Sequence, residues 1–179
     1  MARAGGFFTL LLGALIFGCA TVSSVEPVGE RPKEISQIEW GGTWIHKDHP
    51  ITIKVLNEQK GLLQVAWVEE KEGGLTLESH EVAIRESGEW IFGNVKAKGE
   101  AAFYYWALMK KEAGQIIAWT PDPEQFRKLV QTGVLRGKVE GYDIILEKLT
   151  PDDLKGILSG DKGVCFEWQS PVVFFRIGK

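Results

Sequence analysis

The chain has 179 residues, with 21 Lys+Arg against 24 Asp+Glu for a formal net charge of −3, and it is 44% hydrophobic and 11% aromatic. That length suits one folded domain, and the apolar content excludes a disordered chain. The mildly acidic balance excludes the basic patch that a nucleic-acid partner needs and any strong attraction to anionic lipid.

The N-terminal segment differs from the rest. Arg3 supplies a positive start, and Phe7 to Phe17 is an apolar run broken by Thr9 and Gly13, before Gly18 and Cys19. The run is too short to span a bilayer, which needs ~20 apolar residues, and has the length of an export signal. Residues 1–18 therefore read as a signal peptide. Residues 19–38 carry Ser23, Ser24, Pro27, Gly29, Pro32 and several charges without apolar periodicity, and read as a flexible tether. The folded body is then expected over 39–179.

From Trp40 the pattern is one of short runs divided by turns. Gly42 to His46 is the first candidate strand. Ile51 to Leu56 and Leu62 to Val68 alternate apolar and polar side chains. Leu75 to Ile84 follows, with a bulge expected near Ser79, where the alternation loses phase. Trp90 to Ala97, Ala102 to Lys110 and Gln115 to Thr120 continue the series across Gly-containing turns. Strands at this spacing predict an antiparallel meander that closes into a small β-barrel. The period then changes. Asp122-Pro123 and Thr150-Pro151 each open a short helix, with Gln125 expected as the capping partner of Asp122. Val139 to Leu146 reads as one strand between them, and Val172 to Ile177 as the last. The fold class is mainly β, with two short helices near the C-terminal end.

Ile16-Phe17-Gly18-Cys19 resembles the bacterial lipobox. In that family the cysteine is acylated on sulfur and becomes the mature N-terminus, so the resemblance implies lipidation at Cys19 and membrane lipid as a partner. Phe17 stands where the pattern more often has a small or β-branched residue. Ala20, which is not Asp, resembles the outer-membrane pattern of two-membrane bacteria. The implied location is the cell envelope, on the periplasmic side of the outer membrane in such a host. Loss of the signal removes Arg3 and no acid, moving the charge from −3 to −4. An acylated Cys19 leaves Cys165 without a disulfide partner, and a buried, inert thiol is expected there.

Gly42-Thr43-Trp44 on the first strand, with Arg176 on the last, resembles the lipocalin or calycin pattern. There an arginine of the final strand packs over the tryptophan and helps close one end of an up-and-down barrel, which gives Gly42, Trp44 and Arg176 a structural role. This chain departs from the pattern in having two helices flanking an extra strand. It is similar to bacterial lipocalin-like lipoproteins.

Catalytic motifs are absent from the sequence: there is no Gly-x-Ser-x-Gly elbow, phosphate loop or His-Glu-x-x-His. No enzyme activity and no cofactor are expected. His46, Asp48 and His49 are weak candidates for a divalent metal, against the reading of a polar hairpin turn in which Lys47 disfavours a cation. Trp67, Trp90, Phe92, Phe103, Tyr105, Trp106 and Trp119 admit two readings. Either they line a lumen for a small hydrophobic ligand, or they fill a solid core. Function divides the same way, between an envelope carrier and a non-enzymatic structural or interaction lipoprotein with an envelope protein as partner.

Overall fold

The structure, a computed structural model, describes residues 20–71, 73–97 and 103–178. In chain order the elements are β1 (Val22–Ser24), β2 (Arg31–Pro32), α1 (Gln37–Trp40), β3 (Gly42–His46), β4 (His49–Asn57), β5 (Leu62–Lys71), β6 (Gly74–Ser87), β7 (Trp90–Lys96), β8 (Tyr104–Glu112), β9 (Gln115–Trp119), α2 (Pro123–Gln131), β10 (Gly137–Glu140), β11 (Asp143–Leu146), α3 (Pro151–Ser159) and β12 (Val172–Ile177). Strands β3 to β9 pair in sequence, all antiparallel. Strand β12 then pairs antiparallel with both β9 and β3, closing a barrel of eight strands. Closure leaves no exposed sheet edge along the paired ring.

Alternation places one face of every barrel strand inside. A single contiguous cluster holds Trp44 from β3, Ile51 and Ile53 from β4, Leu63 and Trp67 from β5, Ile84 from β6 and Ile116 from β9. Ile91, Met109 and Phe174 add contributions from β7, β8 and β12. All eight strands contribute side chains to the interior, as expected of a barrel of this size. Gly93 of β7 leaves space that the Met109 side chain occupies.

A second core lies outside the barrel. Phe92, Trp106 and Leu108 point outward from β7 and β8 and pack with Phe126 and Leu129 of α2, Leu154 and Ile157 of α3, and Ile144 and Leu146 of β11. Strands β10 and β11 form a hairpin, and β1 joins β11 in parallel to β8 in antiparallel fashion. Strands β7 and β8 are thus covered on both faces.

The helices start as their sequences dictate. The Asp122 carboxylate accepts from the N–H groups of Glu124 at 2.9 Å and Gln125 at 3.3 Å. Thr150 and Asp153 form a reciprocal capping box at α3, which ends at Gly160 with φ of 83°. Gln125 does not complete a box at α2. Its amide donates instead to the Lys162 carbonyl, tying the helix to the loop after α3.

Four expectations need correction. The segment read as a tether is structured from Thr21 onward: Val22–Ser24 is a buried strand, Val28 and Ile35 are core residues, and Arg31–Pro32 pairs with β6. The body therefore begins well before residue 39. Its polar residues are satisfied by the fold, since Ser23 donates to the Ile144 carbonyl and Thr21 to Asp143. The ladder between β5 and β6 runs unbroken through Ser79, and the register shift lies between Val55 and Asn57 in β4. The stretch from Val139 to Leu146 is the β10–β11 hairpin, turning at Gly141, whose φ of 60° suits glycine. A third helix, α1, was not anticipated; Ser36 caps it.

Candidate functional site

One end of the barrel is closed by α1. Gly42 enters β3 with φ of 116°, a conformation that favours glycine. Trp44 is fully buried, and its indole N–H donates to the Trp40 carbonyl at 3.0 Å. Arg176, opposite Trp44 across the β3–β12 ladder, lies 5.8 Å from the Trp44 ring centroid. Its guanidinium donates to the carbonyls of Ile38 and Gly41, each at 2.7 Å. The planar fork thus satisfies carbonyls at the end of a one-turn helix while its face covers an indole. Lys111 lies 5.8 Å from the ring centroid of buried Trp40 and completes this end. The structure brings Gly42, Trp44 and Arg176 together as a structural unit.

At the opposite end, His46 and His49 face each other across the β3–β4 turn, where Lys47 adopts φ of 54°. His46 is buried, its Nδ1–H donates to the Val173 carbonyl at 2.9 Å, and its ring lies 5.4 Å from Phe174. That bond fixes Nδ1 as the protonated nitrogen. Among the described residues no three His, Cys, Asp or Glu side chains converge as a metal site would need. His46 is built into the barrel wall, and Asp48 lies in the turn that leads to His49.

Trp67 stacks on His80 at 5.3 Å and 8° near this end. Beyond it the β5–β6 hairpin projects, since β5 pairs with β4 only to Ala66 and β6 meets β7 only from Val82. Val68, Leu75 and Leu77 share the outer face of the projection and are exposed. Lys71 bridges Glu69 and Glu78 on the other face.

The aromatic set that could line a lumen or fill a core is divided. Only Trp67 belongs to the interior cluster. Phe92 and Trp106 are buried in the outer core, and Trp90 and Trp119 pack against it. Strands β7 and β8 are apolar on both faces, so the outward set resembled an inward one. Phe103 and Tyr105 are partly buried and meet edge-on at 5.5 Å. Trp106 stands among Phe92, Phe126 and Phe166 with ring centroids 5.6–6.1 Å away, and its buried Nε1–H has no hydrogen-bond acceptor among the described residues.

Trp90 also borders a surface cleft of about 440 Å³ between the β6–β7 turn and α3. Glu30, Ser87, Asp152, Lys155 and Leu158 line it as well. The Ser87 hydroxyl donates to the Glu30 carboxylate at 2.5 Å, so part of its polar wall is already engaged within the fold.

Two residues were missed in the sequence. Asn94, buried on the outer face of β7, accepts from the Val28 N–H at 2.7 Å and donates to the Val28 carbonyl at 3.0 Å. It also donates to the Ala83 carbonyl at 3.2 Å. An asparagine inside a strand is uncommon, and that was the available signal. Glu86 of β6 receives Arg31 at 2.9 Å and Lys33 at 2.8 Å. The Lys33 hydrogen bond is the main reason its carboxyl lies below the usual range. Both residues hold the segment after β1 onto the barrel wall. Cys165 is buried, and desolvation pushes its thiol up to about 11, which makes it a poor nucleophile at neutral pH.

Cys19 lies outside the described residues. No helix among the described residues is long and apolar enough to cross a membrane. Comparison with protein-family models, characterised proteins and solved structures finds no match.

Proposed function

We propose that the chain is a non-enzymatic, lipid-anchored protein of the bacterial cell envelope, whose barrel is a filled scaffold that presents surfaces to other envelope components. The observation that carries this reading is the barrel interior, where side chains from all eight strands form one contiguous cluster. Inward side chains from every strand favour a packed interior, with recognition on the outside of the molecule. The exposed Val68, Leu75 and Leu77 on the projecting hairpin support a docking role, because apolar side chains grouped on one face mark interaction surfaces. The anchor itself rests on the lipobox-like Gly18-Cys19 ending and the short apolar run before it. The clamp of Gly42, Trp44 and Arg176 supports a lipocalin-like origin for the barrel.

Native mass spectrometry of a soluble form beginning at Ala20, prepared from the original host, tests the filled scaffold. The expected result is the bare protein mass, with no uptake from a total lipid extract. A reproducible added mass that disappears on denaturation would overturn it. Replacement of Cys19→Ala is expected to release the full chain from membranes, checked by flotation. A variant that still floats would require another anchor.

The carrier reading keeps one specific observation in its favour, the cleft of about 440 Å³ beside Trp90. Its volume falls within the range of small-molecule sites. An added mass in the native spectrum that is lost on Lys155→Glu would place a small amphipathic ligand there.

A further inference from the structure

We propose that the rim bearing Tyr142 and Trp168, where the chain enters the fold, is the face that rests on the lipid bilayer. The inference depends on the lipid-anchor reading at Cys19 and adds to it an orientation and a contact surface.

The placement follows from how the edge of β8 is shared. Strand β9 occupies that edge from Glu112 to Leu108 and leaves it after Trp119. Strand β1 takes over the same edge at Tyr105 and Tyr104. The residues preceding Val22 therefore emerge where β9 departs. On the other side of β1 runs β11, with Val22 beside Ile144. The Thr21 hydroxyl donates to the Asp143 carboxylate at 2.6 Å, and the Ile144 N–H donates to the Thr21 carbonyl at 2.8 Å. Tyr142, next to Asp143 in the chain, thus stands beside the point of emergence.

Two exposed aromatic side chains flank this point. Tyr142 is 72% exposed and Trp168 is 40% exposed. The Trp168 ring lies 5.2 Å from that of Trp119, the last residue of β9. The turn carrying Tyr142 is held in place, because the Arg127 guanidinium donates to the carbonyls of Gly141 at 3.1 Å and Tyr142 at 2.9 Å. Tyrosine and tryptophan, each with an apolar ring and one polar group, suit the boundary between water and hydrocarbon.

The leash settles which surface meets the membrane. Only Ala20 and Thr21 separate Cys19 from β1. At full extension the path from Cys19 to Val22 is about 10 Å. Acyl chains on Cys19 therefore hold the bilayer within a short reach of Tyr142, whereas a genuine tether of the length first read from the sequence would allow any face to turn inward. The body is mildly acidic, so the contact relies on aromatic insertion and not on charge, and a zwitterionic membrane suffices.

The test uses the full chain, produced in a bacterium that processes lipoproteins and reconstituted into phosphatidylcholine vesicles. Tyr142→Cys and Trp168→Cys variants are labelled with a thiol-reactive fluorophore, and quenching is measured with nitroxide carried on the lipid headgroup. Leu56→Cys serves as the remote control, since Leu56 is exposed on β4, four strands around the ring from β8. Buried Cys165 takes up little label. Thermal melting first confirms that each variant is folded. Flotation with the vesicles is scored separately. The proposal expects quenching at positions 142 and 168 to exceed that at 56 severalfold. Equal quenching at all three positions in protein that floats would overturn the orientation and leave the anchor standing. Protein that remains unbound in flotation would remove the anchor, and the orientation with it.

Discussion

The interior of the barrel and the core outside it share strands β7 and β8 yet are built by different rules. Inside, residues come from a ring of antiparallel neighbours, and alternation alone places them. Outside, Phe92, Trp106 and Leu108 are covered by two helices, a hairpin and the first strand of the body, elements drawn from both ends of the chain. The barrel depends on closing a ring, whereas the outer core depends on long-range docking held by a few specific bonds. A molecule made in this way is expected to lose its two parts separately.

The largest effect is expected at the closed end. Trp44→Ala removes a fully buried indole and its bond to Trp40, and should cost about 3–5 kcal/mol in urea unfolding. A loss below about 1 kcal/mol would mean that the clamp at Arg176 does not depend on the ring. Leu154→Ala, in the outer core, should cost about 2–4 kcal/mol. The sharper readout is hydrogen exchange: protection should fall in α2, α3 and the β10–β11 hairpin while β3 to β6 stay protected. Uniform loss of protection would show one cooperative body and erase the distinction. Asn94→Leu strands the Val28 N–H and carbonyl in a buried site and should cost about 1–3 kcal/mol, with proteolysis appearing between residues 25 and 35.

The smallest effect is one of pH. The Glu86 carboxyl lies below its ordinary range because Lys33, then Arg31, favour its ionised form. Its folded pKa is depressed, so its contribution is present above the unfolded carboxylate pKa and is lost as pH falls through the folded value. Glu86→Gln should therefore be less stable than the parent near neutral pH, and the two should converge in acid. A difference that persists in acid would point to packing and not to the ion pair.

Much of the barrel was legible because each strand with one wet face keeps a period of two, as in Ile51, Ile53 and Val55 against Thr52 and Lys54. Turn chemistry marked the joints, and Asp122-Pro123 and Thr150-Pro151 marked helix starts because the capping atoms are local. What failed to show was non-local. Ser23 and Ser24 look like solvent-facing residues, yet they are buried, and their hydroxyls donate to the carbonyls of Ile144 in β11 and Glu147 just after it, far along the chain. Whether the aromatic face of β7 and β8 lines a lumen or fills a core was not legible, because a strand buried on both sides carries no periodic mark of which side is inside. The closing clamp was legible as residue types, Gly42, Trp44 and Arg176, while its targets, the carbonyls of Ile38 and Gly41, were not, since backbone acceptors leave no trace in the sequence.

The pairing of β1 also sets an order of events. Thr21 meets a residue 122 positions later, and both neighbours of β1 are made long after it. Contacts so distant along the chain form slowly, because the loop between them must first be closed. The opening residues of the body are thus among the last to be fixed. Until β8 and β11 are made, nothing in the fold holds Val22–Ser24, so this strand stays open to other contacts while the rest of the chain folds.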